Sequence, residues 1–364
     1  MSDFSEKDFG NLSVDRRTLL RLFVVSGVAG SALMDMERAL AQASDKDIEK
    51  IVALVQGGPV GDIIKAEANA IFAKSHPNVA VELLVSSNAV TYPRMLAQRS
   101  NPAIAGGMFN DLFSLRGTSD KMWEKFNPEF VPNAAQVPSS LLLPGGEGIT
   151  IHQTPYGIAY NPDRVEAPKS WADLWKPEYK GRIAMWDSYF DAYAMAGVVA
   201  GKGPSVEEGI KAWVPHKANI GAWVKSPIAE IDLVHRGEVW LSPHWGAWAE
   251  QARASGKKVA FTVPKEGATL WSNQMHCSVG FSPKATEIIQ RYLNTWLSDA
   301  CQTAWLTKAF ISPAVGTIKI PDELKSNAAV VSPEAASKLY RLDAQHLGAN
   351  FAAIKGQIDQ TLKG

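Results

Sequence analysis

The chain is 364 residues long, 46% hydrophobic and 20% charged, and its 37 basic and 37 acidic residues cancel. That is enough length and apolar content for two globular domains. Balanced charge, with no basic stripe and no run of like charges, argues against nucleic-acid binding and against disordered charged tails. In chain order, Asp15-Arg16-Arg17-Thr18-Leu19-Leu20-Arg21 has the twin-arginine pattern. A diluted apolar run from Leu22 to Leu33 follows, too short to span a bilayer, and Ala41-Gln42-Ala43 is a small-x-small cleavage site. Residues 1–43 therefore read as a twin-arginine (Tat) signal peptide, with export of the mature protein to the periplasm.

Ile51 to Val55 is an apolar run suited to a buried strand, broken at Gly57-Gly58-Pro59. Ile63, Ile64, Ala68, Ile71 and Phe72 then recur at helical spacing and predict a helix over about 60–74. Pro77 and Asn78 turn the chain into a second strand over 79–85, ending on Ser86-Ser87-Asn88. A helix is expected over about 92–99 and a third strand over 111–115. Strands alternating with helices imply an α/β fold with a parallel sheet and right-handed crossovers. Gly57, Gly58, Ser86, Ser87 and Arg116 follow these apolar runs, where the loops at the carboxyl edge of such a sheet collect ligands. Gly57-Gly58 before a helix is either an ordinary tight turn or a set of N–H groups able to hold an anion. Neither GxGxxG nor a Walker sequence occurs, so nucleotide binding is unsupported.

The stretch from His152 to Asp187 is strand, turn, short helix, strand. Tyr156 to Tyr160 is an apolar and aromatic run ended by Asn161-Pro162. Ser170 caps a short helix with Asp173 at the capping-box position, and Trp171 and Trp175 share a face. Lys176-Pro177 closes that helix, and Ile183 to Trp186 forms a strand ending on Asp187. A helix-rich segment to about Arg236 is broken at Gly201 to Pro204. A strand from Val239 runs into a loop at Trp245-Gly246, and a further strand covers 258–263. Helices are expected over 283–298, 300–308, 333–347 and 350–362. Twelve tryptophans are present, seven of them between Trp186 and Trp271, a concentration that fits an aromatic-lined cleft as well as a core. Cys277 and Cys301 permit a bridge in an oxidising compartment, with two buried thiols the favoured reading.

The order Tyr-Gly-Ile-Ala-Tyr-Asn, Ser-Trp-Ala-Asp-Leu-Trp, Tyr-Lys-Gly-Arg-Ile, with Lys265-Glu266-Gly267 further on, resembles the bacterial extracellular solute-binding proteins of ABC importers. Within them it is most similar to the spermidine/putrescine-binding group, over about Ile51 to Ile318. The resemblance implies a two-lobed periplasmic binding protein type II fold, with a hinge and an interlobe ligand cleft. Lobe one is expected over 44–155 and 272–316, and lobe two over 156–271 and 317–364. It also implies a monomeric receptor without a cofactor, delivering a small organic cation or zwitterion, polyamine-like or amino-acid-derived, to an ABC permease and ATPase complex. The competing readings are an exported enzyme and a sensor subunit on the same fold.

That group grips amines with stacked aromatic rings and carboxylates. Anchored on Lys265-Glu266-Gly267, the comparison places Trp245 and Trp271 at the two tryptophan positions. The acid two residues past the second tryptophan is Asn273 here, and the paired acids after the central strand fall near Ser188 and Asp191, with Asp187 one step earlier. Arg116 near a cleft would oppose a polycation and suit a ligand with one anionic end. Seven scattered histidines show no metal spacing, and neither HExxH nor GxSxG occurs.

Overall fold

The computed structural model describes residues 48–364, so the signal-peptide reading of residues 1–43 lies outside the described residues. Ile48–Phe281 and Thr286–Gly364 form one compact unit. Its strands are β1 (Lys50–Val55), β2 (Ala80–Val85), β3 (Gly106–Asn110), β4 (Trp123–Glu124), β5 (Ile149–Tyr160), β6 (Ile183–Trp186), β7 (Ile220–Val224), β8 (Leu241–Trp245), β9 (Ala260–Thr262), β10 (Thr269–Ser278) and β11 (Ser312–Pro313). The α-helices are α1 (Pro59–Ile63), α2 (Asn69–Ser75), α3 (Asn88–Ala97), α4 (Asp111–Ser119), α5 (Asp191–Val199), α6 (Val206–Trp213), α7 (Pro227–Arg236), α8 (Gly246–Ala254), α9 (Pro283–Asn294), α10 (Asp299–Ala309), α11 (Pro333–Ala336) and α12 (Ala344–Ile358).

The strands hydrogen-bond in the order β2-β1-β3-β10-β5-β8-β6-β7. β1 pairs in parallel with β2 and β3 at one end, and β6 with β7 and β8 at the other. Between them the two long strands β5 and β10 run antiparallel to each other and to their neighbours. Each changes the apolar cluster it serves along its length. β5 supplies Ile149 and Ile151 to a core shared with β1, α9 and α10, then Tyr156 and Ile158 to a second core shared with β6, α5 and α6. β10 gives Met275 and Cys277 to the first core, while Trp271 packs on the second. Cys277 and Cys301 are free buried thiols.

Local chemistry accounts for most elements. Ser170 and Asp173 form the expected capping box on the 3₁₀ turn Trp171–Trp175, and Ser87 caps α3 by accepting from Val90 N. α1 and α2 join through a π turn over Ile64–Ala68 into the helical stretch that apolar spacing predicts. The third strand is the main correction. It occupies Gly106–Asn110, and 111–115 is the start of α4. Glycines are poor strand formers, which hides β3 from a reading of side-chain pattern. Packing demands them here: a Cβ on Gly106 would lie 2.0 Å from His276 O, and one on Gly107 2.1 Å from Leu54 O. Asn110 then accepts from Phe113 N at 3.2 Å and starts the helix. β7 was not anticipated, and the C-terminal helix α12 begins at Ala344 and overlaps both expected C-terminal helices.

Candidate functional site

Two helices start at the carboxyl ends of parallel strands and point their first turns at one pocket. α4 follows β3 and opens with Asp111; α5 follows β6 and opens with Asp191. The carboxyl edge of parallel strands is where helix N-termini and loops converge on ligands. The pocket is a partly open cleft with a cavity volume of about 120 Å³. Asn110, Asp111, Ser188, Tyr189, Asp191 and Trp271 supply its polar and aromatic lining. Leu112, Phe190, Leu270, Leu342, Leu347 and Phe351 supply the apolar remainder. No lysine, arginine or histidine among the described residues lines it.

Both acids are tied to β10. Asp191 Oδ1 accepts from Thr269 Oγ1 at 2.6 Å. Asp111 Oδ1 accepts from Gln274 Nε2 at 2.6 Å and from Ser272 Oγ at 2.9 Å. Burial is the main force on each, and it raises both carboxyls above their usual range. Asp191 reaches about 6, with the Asp111 charge adding to the rise and the Thr269 hydrogen bond opposing it.

Trp271 stands on the pocket wall, with His152 stacked at 5.8 Å on one side and Trp248 edge-on at 5.4 Å. Trp245 lies behind it, 6.1 Å away and 5% exposed. Its ring is enclosed by Tyr156, Trp186, Tyr189 and Trp248, so its bulk serves the second core. Trp245 Nε1 has no hydrogen-bond partner among the described residues.

The remaining sequence candidates divide. Ser188 joins Asp191 and Trp271 on the pocket. Asn273 is buried one step behind, its Nδ2 2.9 Å from His152 Nε2 and its Oδ1 unpartnered. Asp187 is taken up by Lys355, at 3.3 Å, and Lys363. Burial works against its ionisation, but the two ammonium groups outweigh that and hold the carboxyl below its usual range. Arg116 turns to Asp120, at 3.6 Å, and over the Tyr92 ring, so the anionic-end argument loses its cation at this pocket. Gly57, Gly58, Ser86 and Ser87 lie outside the pocket lining. At Gly58 a φ of 70° explains the glycine as the residue entering α1.

Sequence reasoning missed Asp111 and the whole contribution of α12. An Asn-Asp pair opening a helix was a usable signal for the first, once Asn110 is recognised as the cap. Nothing in the sequence places Leu347 and Phe351 over a pocket whose acids, Asp111 and Asp191, lie more than 150 residues upstream.

Two antiparallel linking strands, two large apolar cores and a pocket at the carboxyl ends of parallel strands define the fold of a two-lobed periplasmic binding protein. Residues 103–336 match the family described as bacterial extracellular solute-binding protein, and the chain belongs to that family. Over 188 residues it is 27% identical to a spermidine/putrescine-binding periplasmic protein of Escherichia coli K12, covering 49% of this chain and 53% of that one. The matched stretch thus spans about half the length of that curated relative. Among solved structures it resembles the spermidine/putrescine ABC transporter substrate-binding protein of Streptococcus pneumoniae, with TM-score 0.69 and 18% identity over 85% of this chain and 99% of that one. It resembles equally a periplasmic binding protein of A. tumefaciens bound to glucopine, with TM-score 0.69 and 18% identity over 86% and 99%. These two likenesses concern the fold.

Proposed function

We propose that the protein is a periplasmic receptor that captures a small organic cation, or a zwitterion presenting its cationic end, and hands it to an ABC importer. One observation carries the solute class: the pocket combines Asp191 with the Trp271 wall and contains no lysine, arginine or histidine among the described residues. An aromatic face attracts a desolvated cation by about 2 kcal/mol, and a charge-assisted hydrogen bond adds about 1.5–3 kcal/mol. The spermidine/putrescine relatives lend the amine class further support.

In this reading, among the described residues, lobe one is 48–155 with 272–316 and lobe two is 156–271 with 317–364. The exchange of cores along β5 and β10 supports the boundary. Solute held between Asp191 on one side and α4 on the other would favour the closed arrangement, the form a permease recognises. Native mass spectrometry of freshly purified protein, followed by calorimetric titration with a panel of amines, amino acids and sugar phosphates, tests the class. Tight binding confined to anionic or neutral solutes would reject it.

A further inference from the structure

We infer that Asp111, at the start of α4, is the second carboxylate of the solute site, and that Asp111 and Asp191 share a single ammonium head whose body is apolar. This rests on the reading of the pocket as the solute site. Asp111 lines that pocket from the β3–α4 side while Asp191 lines it from the β6–α5 side. The neighbouring group completes the case. Gln274 is 5% exposed, its amide nitrogen is committed to Asp111, and its Oε1 has no partner among the described residues. Gln274 lies outside the lining itself: it holds the Asp111 carboxylate, and its unpaired Oε1 leaves this corner of the pocket with a buried acceptor short of a donor.

Beyond the two acids the lining turns to Leu112, Leu270, Leu347 and Phe351. A second ammonium on a diamine would be buried against these side chains without a counter-charge, which is strongly unfavourable. The site therefore selects a primary or secondary monoamine carrying an alkyl or aryl body over putrescine or spermidine.

The test is calorimetric titration of the full-length mature protein with phenethylamine, putrescine and spermidine. Asp111→Asn, Asp191→Asn and the parent are compared from pH 5 to 8. Phenethylamine should bind the parent at least tenfold tighter than either polyamine, and Asp111→Asn should lose tenfold or more. The pH profile separates solute contact from scaffolding. Parent affinity should fall as pH drops through about 6, where Asp191 takes up its proton. In Asp111→Asn that midpoint should move to lower pH, because the neighbouring negative charge is gone. Tyr189 and Tyr156 also face Asp191, and Arg341 of the C-terminal segment acts on Asp111; none of these is altered by the substitution. If Asp111→Asn does not fold, Asp111→Ser replaces it. A polyamine binding more tightly than phenethylamine overturns the monoamine class. Parent-like affinity and pH midpoint in Asp111→Asn, with binding lost in Asp191→Asn, overturn the role of Asp111 while leaving the cation reading intact. Binding of none of the amines overturns both.

Discussion

The family resemblance assigns Trp245 and Trp271 paired roles, but their surroundings in the structure differ. Trp271 presents its ring to the pocket, so Trp271→Ala should weaken cation binding by about tenfold or more and change stability less. Trp245 is enclosed by four aromatic neighbours. Its truncation leaves a cavity in the second core and should destabilise the fold by about 3–5 kcal/mol. Parallel urea denaturation and titration of the two variants will show whether the effects separate in this way. Asp187 illustrates the same division. It sits at the strand end the sequence indicates, yet the lysines of the C-terminal helix have claimed its carboxylate. Of the three, only Trp271 lines the pocket, and which atoms already have partners was settled by chain segments far away.

At the scale of elements, β3 and α12 are the two that position the pocket without a clear sequence signal. β3 depends on glycine. Gly107→Ala would drive a methyl group into the Leu54 carbonyl, from a backbone with φ 139°. A loss of about 3 kcal/mol or more is expected, read as a lowered denaturation midpoint. α12 and the π turn Asp359–Lys363 that follows it are fastened differently, by Lys355 and Lys363 on Asp187 and by the Lys363 ammonium over the Trp223 ring. Asp187→Ala should loosen this end of the chain, because the two lysines keep only Asp359, within their own segment, while the core beneath stays packed. Hydrogen exchange should then rise within 344–363 and remain unchanged in β5 and β10. The capping box at Ser170 and Asp173 stands at the other extreme. Both partners lie within four residues, so its geometry was readable directly.

Over the whole molecule, buried titratable groups shape the response to pH. Glu230 is fully buried, accepting from Trp186 Nε1 and Ser242 Oγ, and burial pushes its carboxyl up to about 8. The folded protein therefore keeps a proton on Glu230 that the unfolded chain has released above about 4.5. More protons bound in the folded state means that stability falls as pH rises, until pH passes about 8. Buried His244 lies 3.4 Å from Glu230 and is lowered to about 4 by its own burial. It acts with the opposite sign, but its contribution is complete by about pH 6.5. From pH 6.5 to 8 the parent should lose about 2 kcal/mol, and Glu230→Gln should remove most of that slope. Denaturant titrations at several pH values provide the measurement.

What the sequence determined by itself was whatever is encoded within a few residues or repeated along a strand or helix. That includes the runs that became β1, β2, β6 and β9, the Ser170 cap, and the motifs that carry the family resemblance. These follow from side-chain spacing, capping chemistry and backbone restriction, which act locally. The tertiary structure alone decided that Asp111 lines the pocket, that Arg116 and Asp187 are engaged elsewhere, that Trp245 is buried in the second core, and that α12 lines the pocket. Apart from the Arg116–Asp120 pair, which spans four residues, each of these depends on contacts between segments separated by tens to hundreds of residues. Burial and the pairing of charges are properties of the assembled neighbourhood, and a residue's own position in the chain does not specify them.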